Sequence, residues 1–223
     1  MDLLVLGMSH VECIQRAMGE PQENLRIINL RNVALEDIRV TNPKSVAILA
    51  GGNQHAVLGL IEHPKRFCTS DSQGNLVPSD TTARQLIPRQ VLRNVVKDQS
   101  RRFFGITRAI HDKYPHAEFF HVLSPPPVED TKHLQENPGV FRSRLHLGIS
   151  PPELRKAIYD LQAELYAELA TELGATLLSP PAPAVTQDGF LHSDYCNNDP
   201  THGNTAYGAL LLSLLRSDLT EAA

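Results

Sequence analysis

The sequence predicts a three-layer α/β domain built on a five-stranded parallel sheet. The first observation is a set of five apolar runs of strand length, at Leu3–Leu6, Leu25–Leu30, Ser45–Ala50, Glu118–Leu123 and Ala175–Ser179. Several of these runs are apolar at nearly every position, which is typical of parallel strands buried on both faces. The second observation is that helical patterns separate the runs, and strand–helix alternation with right-handed crossovers produces such a sheet.

The helical patterns are amphipathic and occur in chain order between and after the predicted strands. The first, His10–Met18, places Val11, Ile14 and Met18 on one face. Longer patterns cover Val91–Tyr114 and Glu153–Leu173, and Thr205–Leu215 predicts a final helix. In the pattern that begins at Glu153, apolar residues recur every three or four positions, at Leu154, Ile158, Leu161, Leu165 and Leu169. Because no repeat or linker interrupts this order, we expect one domain over residues 1–223.

Two polar, turn-rich stretches interrupt the alternation as insertions, near residues 63–88 and 124–150. The first favours a small hairpin around Ser72–Asn75, and the second opens with Ser124 and three prolines. Both follow the carboxyl end of a predicted strand, and ligands of open α/β sheets bind at that edge. We therefore expect them to form substrate walls or lids. Surface decoration is the alternative.

Composition excludes several classes of partner. The chain of 223 residues carries 21 Lys and Arg against 25 Asp and Glu, so its net charge of -4 gives no reason to expect nucleic acid. No apolar stretch approaches the roughly 20 residues of a membrane span, so no membrane insertion is expected. The start lacks the pattern of a signal peptide, and the three cysteines have no metal-ligand spacing, which together predict a cytoplasmic protein.

Ser9 directly follows the first apolar run, in the stretch LVLGMSH. One interpretation is structural, because Ser9 and Glu12 form the S-x-x-E pattern of a helix capping box, which Ser150 and Glu153 repeat. The other interpretation is chemical. A serine between a central strand and a helix lies at the carboxyl edge of the sheet, where backbone N–H groups and the helix dipole can stabilise an oxyanion. Such a serine needs a base to become a nucleophile.

A second candidate follows the third apolar run, where the chain reads Gly51-Gly52-Asn53. The glycines allow a sharp turn and, at Gly52, a close approach of the backbone to a ligand. The Asn53 amide could donate a hydrogen bond to a developing negative charge, although asparagine is also a common helix N-cap. No Gly-Lys-Ser/Thr follows, so this is not a phosphate-binding loop.

The third candidate is Asp199-Pro-Thr-His202, which stands just before the last predicted helix. In a turn, a spacing of three residues allows the carboxylate to reach the imidazole and hold its tautomer. The alternative is an Asx turn at Asp199 beside an incidental surface histidine. Asp188-Gly-Phe-Leu-His192 is a rival pair, but its spacing is one residue longer.

The chain resembles the SGNH (GDSL-type) hydrolase superfamily in three motifs and in their order. These are a serine after strand one, Gly-x-Asn after strand three and Asp-x-x-His before the last helix. The resemblance implies a flavodoxin-like fold and acyl transfer by Ser9, with His202 as the base and Asp199 as its orienting carboxylate. It also implies an oxyanion hole of the Ser9 backbone N–H, the Asn53 side chain and a backbone N–H near Asn32, with Gly52 in the adjoining substrate-binding turn. No metal or cofactor is implied.

The sequence departs from the pattern of that superfamily at two places. Met8 replaces the usual Asp of Gly-Asp-Ser, and NLRNVALED lacks the glycine expected after the second strand. Asn32 or a neighbour could still offer its backbone N–H as the missing oxyanion donor. Because the rival Asp188–His192 pair resembles the Asp-Gly-x-His of the family with one residue too many, we favour Asp199 and His202.

The expected function is a serine-dependent acyl-ester hydrolase or O-acyltransferase that acts on a small acyl ester or acylated sugar. An aromatic content of 5% without tryptophan gives no sign of a polysaccharide-binding platform. The alternative of another class is a non-catalytic module that binds a carbohydrate or acyl group on the same fold. A flavin or nucleotide binder is disfavoured, because no strand precedes a Gly-rich phosphate loop.

Overall fold

The computed structural model describes the backbone of residues 2–221 and the side chains of residues 2–216. Its central sheet has five strands: β1 (Leu3–Gly7), β2 (Leu25–Asn29), β3 (Ser45–Leu49), β7 (Glu118–Val122) and β8 (Thr176–Leu178). Their order across the sheet is β2-β1-β3-β7-β8, and every pair is parallel. The predicted three-layer α/β fold with a five-stranded parallel sheet is confirmed, and all carboxyl ends lie at one edge.

In the described part of the chain, six α-helices accompany the strands: α1 (Val11–Met18), α2 (Gln54–Gly59), α3 (Arg89–Lys113), α4 (Thr131–Glu136), α5 (Pro152–Leu173) and α6 (Thr205–Glu221). Apolar residues of α1 and α6 pack on the sheet face that carries Val5, Ala47 and Val122. On the other face, Leu4 and Ile48 pack against α3, which in turn packs with α5. Sequence periodicity predicts the four long helices but not α2 and α4, which have six residues each.

The first insertion forms a small second sheet of β4 (Phe67–Ser70), β5 (Leu76–Val77) and β6 (Gln85–Leu86), in the order β5-β4-β6. β4 and β5 pair as an antiparallel hairpin, at the place where the sequence predicts one. An ion pair of 2.5 Å between Arg84 and Glu62, with side chains 8% and 5% exposed, joins this sheet to the segment after α2. The second insertion contains α4 and a 3₁₀ helix, Gly139–Leu147.

The second insertion lies against the segment that contains Asp199. Nε2 of His133 is 3.4 Å from the Asp199 carbonyl oxygen. A Cβ built on Gly139 would lie 3.2 Å from the Pro200 ring. Residues 124–150 therefore lie beside the segment of Asp199. That they form a wall of the site stays a prediction.

Helices α1 and α6 approach each other closely at Gly208. A Cβ at this position would lie 2.1 Å from the Cys13 carbonyl oxygen, so only glycine fits without displacing a helix. The close packing brings the start of α6 beside the start of α1. Among the described residues, none of the helices is long and apolar enough to cross a membrane.

Candidate active site

Ser9 lies in the short turn between β1 and α1, at the carboxyl edge of the sheet. The capping-box interpretation is wrong, because His10 occupies the N-cap position and no side chain caps the helix. The Ser9 hydroxyl instead lies 2.8 Å from Nε2 of His202. The second S-x-x-E pattern also forms no capping box, since Pro151 is the N-cap of α5 and its helix start has no side-chain cap.

His202 lies between Ser9 and Asp199. Its Nδ1 is 2.9 Å from Asp199 Oδ1, so an Nδ1–H donates to the carboxylate and leaves Nε2 free to accept from the Ser9 hydroxyl. The same carboxylate oxygen accepts the backbone N–H groups of Thr201 and His202, each at 2.9 Å. The Asx turn and the carboxylate–imidazole pair are therefore both present. The turn orients the imidazole of His202 so that its Nε2 faces Ser9.

Asp199 is held in its ionised form. Burial raises the pKa of this carboxyl, but the hydrogen bonds from the His202 side chain and the Thr201 N–H outweigh burial. Asn197 also donates its amide, at 2.8 Å, to Oδ2. The net result is a pKa well below the usual value of 3.8. A carboxylate that stays negative can orient an imidazole and stabilise its protonated form.

Asn53 occupies the N-cap position of α2, but its side chain makes no capping bond. Its Oδ1 instead lies 2.9 Å from Nε2 of His10, and its Nδ2 donates to the Thr201 hydroxyl at 3.1 Å. Thr201 Oγ1 is also 3.4 Å from Asp199 Oδ1. A chain of polar contacts thus joins Asn53 to the Asp199 carboxylate.

The Gly51–Asn53 turn is held against α5 by hydrogen bonds to a buried stripe of that helix, formed by Tyr159, Gln162 and Tyr166. Gln162 is central: its Oε1 accepts the His55 N–H at 2.9 Å, and its Nε2 donates to the Gly52 carbonyl at 3.3 Å. These two contacts bracket Asn53 on both sides. One turn further along α5, the Tyr166 hydroxyl donates to the Gly51 carbonyl at 2.8 Å. Gly52 itself has φ +61°, a conformation that favours glycine.

The same stripe also holds the loop after β7. Gln162 Nε2 lies 3.2 Å from Ser124 Oγ, and the Tyr159 hydroxyl donates to the Ser124 carbonyl at 2.9 Å. Gln162 is 1% exposed, so these contacts lie in the protein interior. Hydrogen bonds in such surroundings are costly to leave unmade, which makes the turn before α2 rigid.

The donor predicted at Asn32 is not available. Its backbone N–H donates to the Asn29 carbonyl at 3.0 Å, within the turn that follows β2. The neighbouring N–H groups are also used, because Leu30 donates to the Gly7 carbonyl and Arg31 to the Asn29 side chain. By contrast, the Ser9 N–H has no partner among the residues that the structure describes. Of the donors that the resemblance implies, the Ser9 N–H and the Asn53 amide therefore remain.

The rival histidine lies elsewhere. His192 accepts the Asp194 N–H at its Nδ1, 3.3 Å away, and its ring packs edge-on against Tyr195. The structure thus brings together Ser9, Asn53, Asp199 and His202 from the predicted set, places Gly52 in the adjoining turn, and leaves His192 outside. It also adds His10, Thr201 and Gln162, for which no local pattern in the sequence gave a signal.

Comparison by sequence finds no matching family model and no matching curated protein. Solved structures do match. A GDSL-like lipase from Bacteroides thetaiotaomicron is 14% identical with a TM-score of 0.51, over 100% of this chain and 89% of the lipase. Phospholipase A1 from Streptomyces albidoflavus is 15% identical with a TM-score of 0.51, over 97% of this chain and 98% of the phospholipase. The chain therefore shares the fold of the GDSL-like lipase and of the phospholipase.

Proposed function

We propose that the protein is a serine-dependent acyl-ester hydrolase or O-acyltransferase whose nucleophile is Ser9. The observation that carries this proposal is the continuous relay from Ser9 Oγ through His202 to Asp199, with distances of 2.8 and 2.9 Å. Ser9 is half-buried at the sheet edge, and its hydroxyl contacts the imidazole that would activate it. The names of the similar structures, a lipase and a phospholipase, support an ester as the substrate class.

In the first half of the reaction, His202 Nε2 takes the proton of the Ser9 hydroxyl as Oγ attacks the ester carbonyl. Asp199 remains negative and stabilises the imidazolium that forms. The carbonyl oxygen gains the negative charge, which the Ser9 N–H and the Asn53 amide stabilise. The intermediate collapses when the ester C–O bond breaks, and His202 returns its proton to the leaving alcohol.

In the second half, water or an acceptor hydroxyl attacks the acyl group on Ser9, and His202 again takes the proton. The Ser9–acyl bond then breaks and the Ser9 hydroxyl recovers its proton. Water gives hydrolysis, whereas an alcohol gives acyl transfer. Every proton and electron pair is carried by the chain's own groups and the substrates, so the cycle needs no cofactor. We propose a small acyl ester or an acylated sugar as the substrate.

One observation favours a second candidate, a module that binds an acyl group or a carbohydrate without turnover. The N–H groups of Leu30, Arg31 and Asn32 are all engaged, so the turn after β2 offers none of them to an oxyanion. A site with two donors instead of three would stabilise the transition state less. This alternative keeps the fold and binds a carbohydrate or acyl group, but it predicts no reaction at Ser9.

Reaction with a fluorophosphonate probe, followed by a screen of short-chain acyl esters and acetylated sugars, tests the proposal. We expect the wild type to be labelled and to turn over at least one ester, and Ser9→Ala to do neither. Adding an alcohol acceptor then separates hydrolysis from transfer. If the wild type binds acyl or sugar ligands but is neither labelled nor active, the binding module is the correct function.

A further inference from the structure

His10 is a buried imidazole that directly follows Ser9 and has no part in the relay. It is 5% exposed, and its Nε2 lies 2.9 Å from Asn53 Oδ1. Its ring centroid is 4.7 Å from that of His202, with the two planes tilted by 42°. One side chain therefore contacts both the oxyanion donor and the base. Among the residues that the structure describes, no other histidine does this.

The contact with Asn53 determines which way the amide faces. A carbonyl oxygen only accepts hydrogen bonds, so His10 must carry its proton on Nε2. With Oδ1 held by His10, Nδ2 lies on the other side, where one of its hydrogens goes to the Thr201 hydroxyl at 3.1 Å. No described residue accepts its second hydrogen, which leaves that hydrogen for the substrate. A flipped amide would oppose the His10 N–H with its own N–H and present an oxygen to the developing oxyanion.

We infer that His10 is a positioning residue that fixes the Asn53 amide with its N–H groups on the side of the reacting oxygen. The inference rests on the proposed function, since it concerns the oxyanion hole of the same site. His10 acts through Asn53 and transfers no proton to the substrate. Thr201 completes the arrangement from the other side, because its hydroxyl accepts from Asn53 and contacts the Asp199 carboxylate.

The charge state of His10 agrees with this role. Burial, together with the neighbouring His202, lowers the pKa of His10 to about 3. The ring is thus neutral at ordinary pH and keeps a single N–H, which is the one that Asn53 uses. A neutral His10 also does not oppose the positive charge that His202 acquires during the reaction, whereas two adjacent imidazolium rings would repel each other.

Three substitutions at His10 separate the hydrogen bond from the packing. His10→Phe keeps a ring and removes the donor. His10→Gln keeps a side-chain N–H at about the position of Nε2, whereas His10→Asn is polar but too short to reach. The matched control is His121→Phe, which makes the same exchange at a histidine that is 1% exposed and stacked on Tyr166, with both ring nitrogens unpartnered among the described residues.

On an ester that the wild type turns over, we expect His10→Phe and His10→Asn to lower kcat about 10- to 100-fold with KM nearly unchanged. His10→Gln should recover most of the rate, and His121→Phe should keep it. The decisive measurement is the double variant His10→Phe/Asn53→Ala. It should be no slower than Asn53→Ala alone, because the two residues act as one unit.

Circular dichroism and thermal unfolding show whether each variant is folded. If His10→Phe does not fold, the comparison of His10→Gln with His10→Asn still decides. Unchanged kcat in the donor-less variants, or losses that multiply in the double variant, would overturn the inference while the Ser9 mechanism stands. Equal turnover by wild type and Ser9→Ala would overturn the proposed function and this inference together.

Discussion

His202 Nε2 and Ser9 Oγ lie 2.8 Å apart although 193 positions separate the two residues in the chain. Ser9 stands before α1 and His202 before α6, so the pair depends on how these helices pack. The contact has the geometry of a base and a nucleophile, with the carboxylate of Asp199 behind the imidazole.

Removing the imidazole of His202 should abolish turnover. We expect His202→Ala to lower kcat by about 10³-fold or more, and Ser9→Ala/His202→Ala to be little slower than either single variant, because the members of a triad act together. Steady-state kinetics on the best ester measures both effects. The matched control is His192→Ala, which should keep its activity; an inactive His192→Ala beside an active His202→Ala would reverse the assignment.

Removing the amide of Asn53 should slow the chemical step. Loss of one oxyanion donor typically lowers kcat by about 10²- to 10³-fold, and KM should change little because the donor acts on charge that exists only in the transition state. Asn94→Ala, at an exposed position of α3, is the matched control and should be silent. A raised KM with constant kcat would instead assign Asn53 to substrate binding.

Gln162→Leu should loosen the turn that carries Asn53. The substitution keeps the approximate volume but leaves the His55 N–H, the Gly52 carbonyl and the Ser124 hydroxyl without this partner. We expect the free energy of unfolding to fall by about 3 kcal/mol, together with kcat.

Denaturant unfolding and steady-state kinetics measure the two effects of Gln162→Leu. Tyr166→Phe is the graded comparison, since it removes one hydrogen bond of the same stripe, to Gly51, and should cost about 1 kcal/mol. A Gln162→Leu protein as stable as the wild type would show that these buried contacts contribute nothing.

Gly208→Ala should disturb the packing of α1 and α6. Its Cβ would lie 2.1 Å from the Cys13 carbonyl oxygen, so the helices must separate, at a cost of about 1–3 kcal/mol. Activity should fall as well, because α6 follows His202 directly. Gly105→Ala on α3 is the control: a Cβ there meets nothing within 4 Å, and the protein should gain about 0.5–1 kcal/mol. Equal stabilities of the two variants would contradict the prediction.

Stability should decrease as the pH falls from 7 toward 4. Burial lowers the pKa values of His10, His55 and His121 to about 3, 4 and 3. In the unfolded chain these histidines titrate near pH 6.5, so below that pH the unfolded state binds protons that the native state does not. Each should lower the free energy of unfolding by about 1.4 kcal/mol per pH unit in this window.

Denaturant unfolding between pH 7 and pH 5 measures this effect. His121→Phe isolates one contribution, because it removes one titrating side chain and should reduce the slope by about one proton. A free energy of unfolding that does not change over this range would contradict the buried, neutral state of these histidines.

Much of the fold could be predicted because its signals are local. The five apolar runs coincide with the five strands of the central sheet to within one or two residues at each end. The helices α2 and α4 were missed because six residues are too few for a clear period. The start of α2 makes a tertiary hydrogen bond, from the His55 N–H to the Gln162 side chain, which local periodicity does not reveal.

The candidate site could be predicted only where motif order carried information. Ser9, Asn53, Asp199 and His202 were grouped from their order along the chain, and the structure places them in one polar network, while their roles stay predictions. The capping pattern at Ser9 was misleading because a tertiary hydrogen bond competes for the hydroxyl. The prediction of an oxyanion donor at Asn32 is wrong because its backbone N–H is used in the turn after β2. The residue type alone does not reveal this hydrogen bond.

The close approach of α1 and α6 at Gly208 also has a consequence for the time course of folding. Ser9 and His202, the proposed nucleophile and base, come from opposite ends of the described chain, and contacts between residues so far apart in sequence form slowly. An intermediate with a formed sheet but an undocked α6 would have the Ser9 hydroxyl without its base. Recovery of probe labelling during refolding would then lag behind the recovery of secondary structure and report on the docking of the last helix.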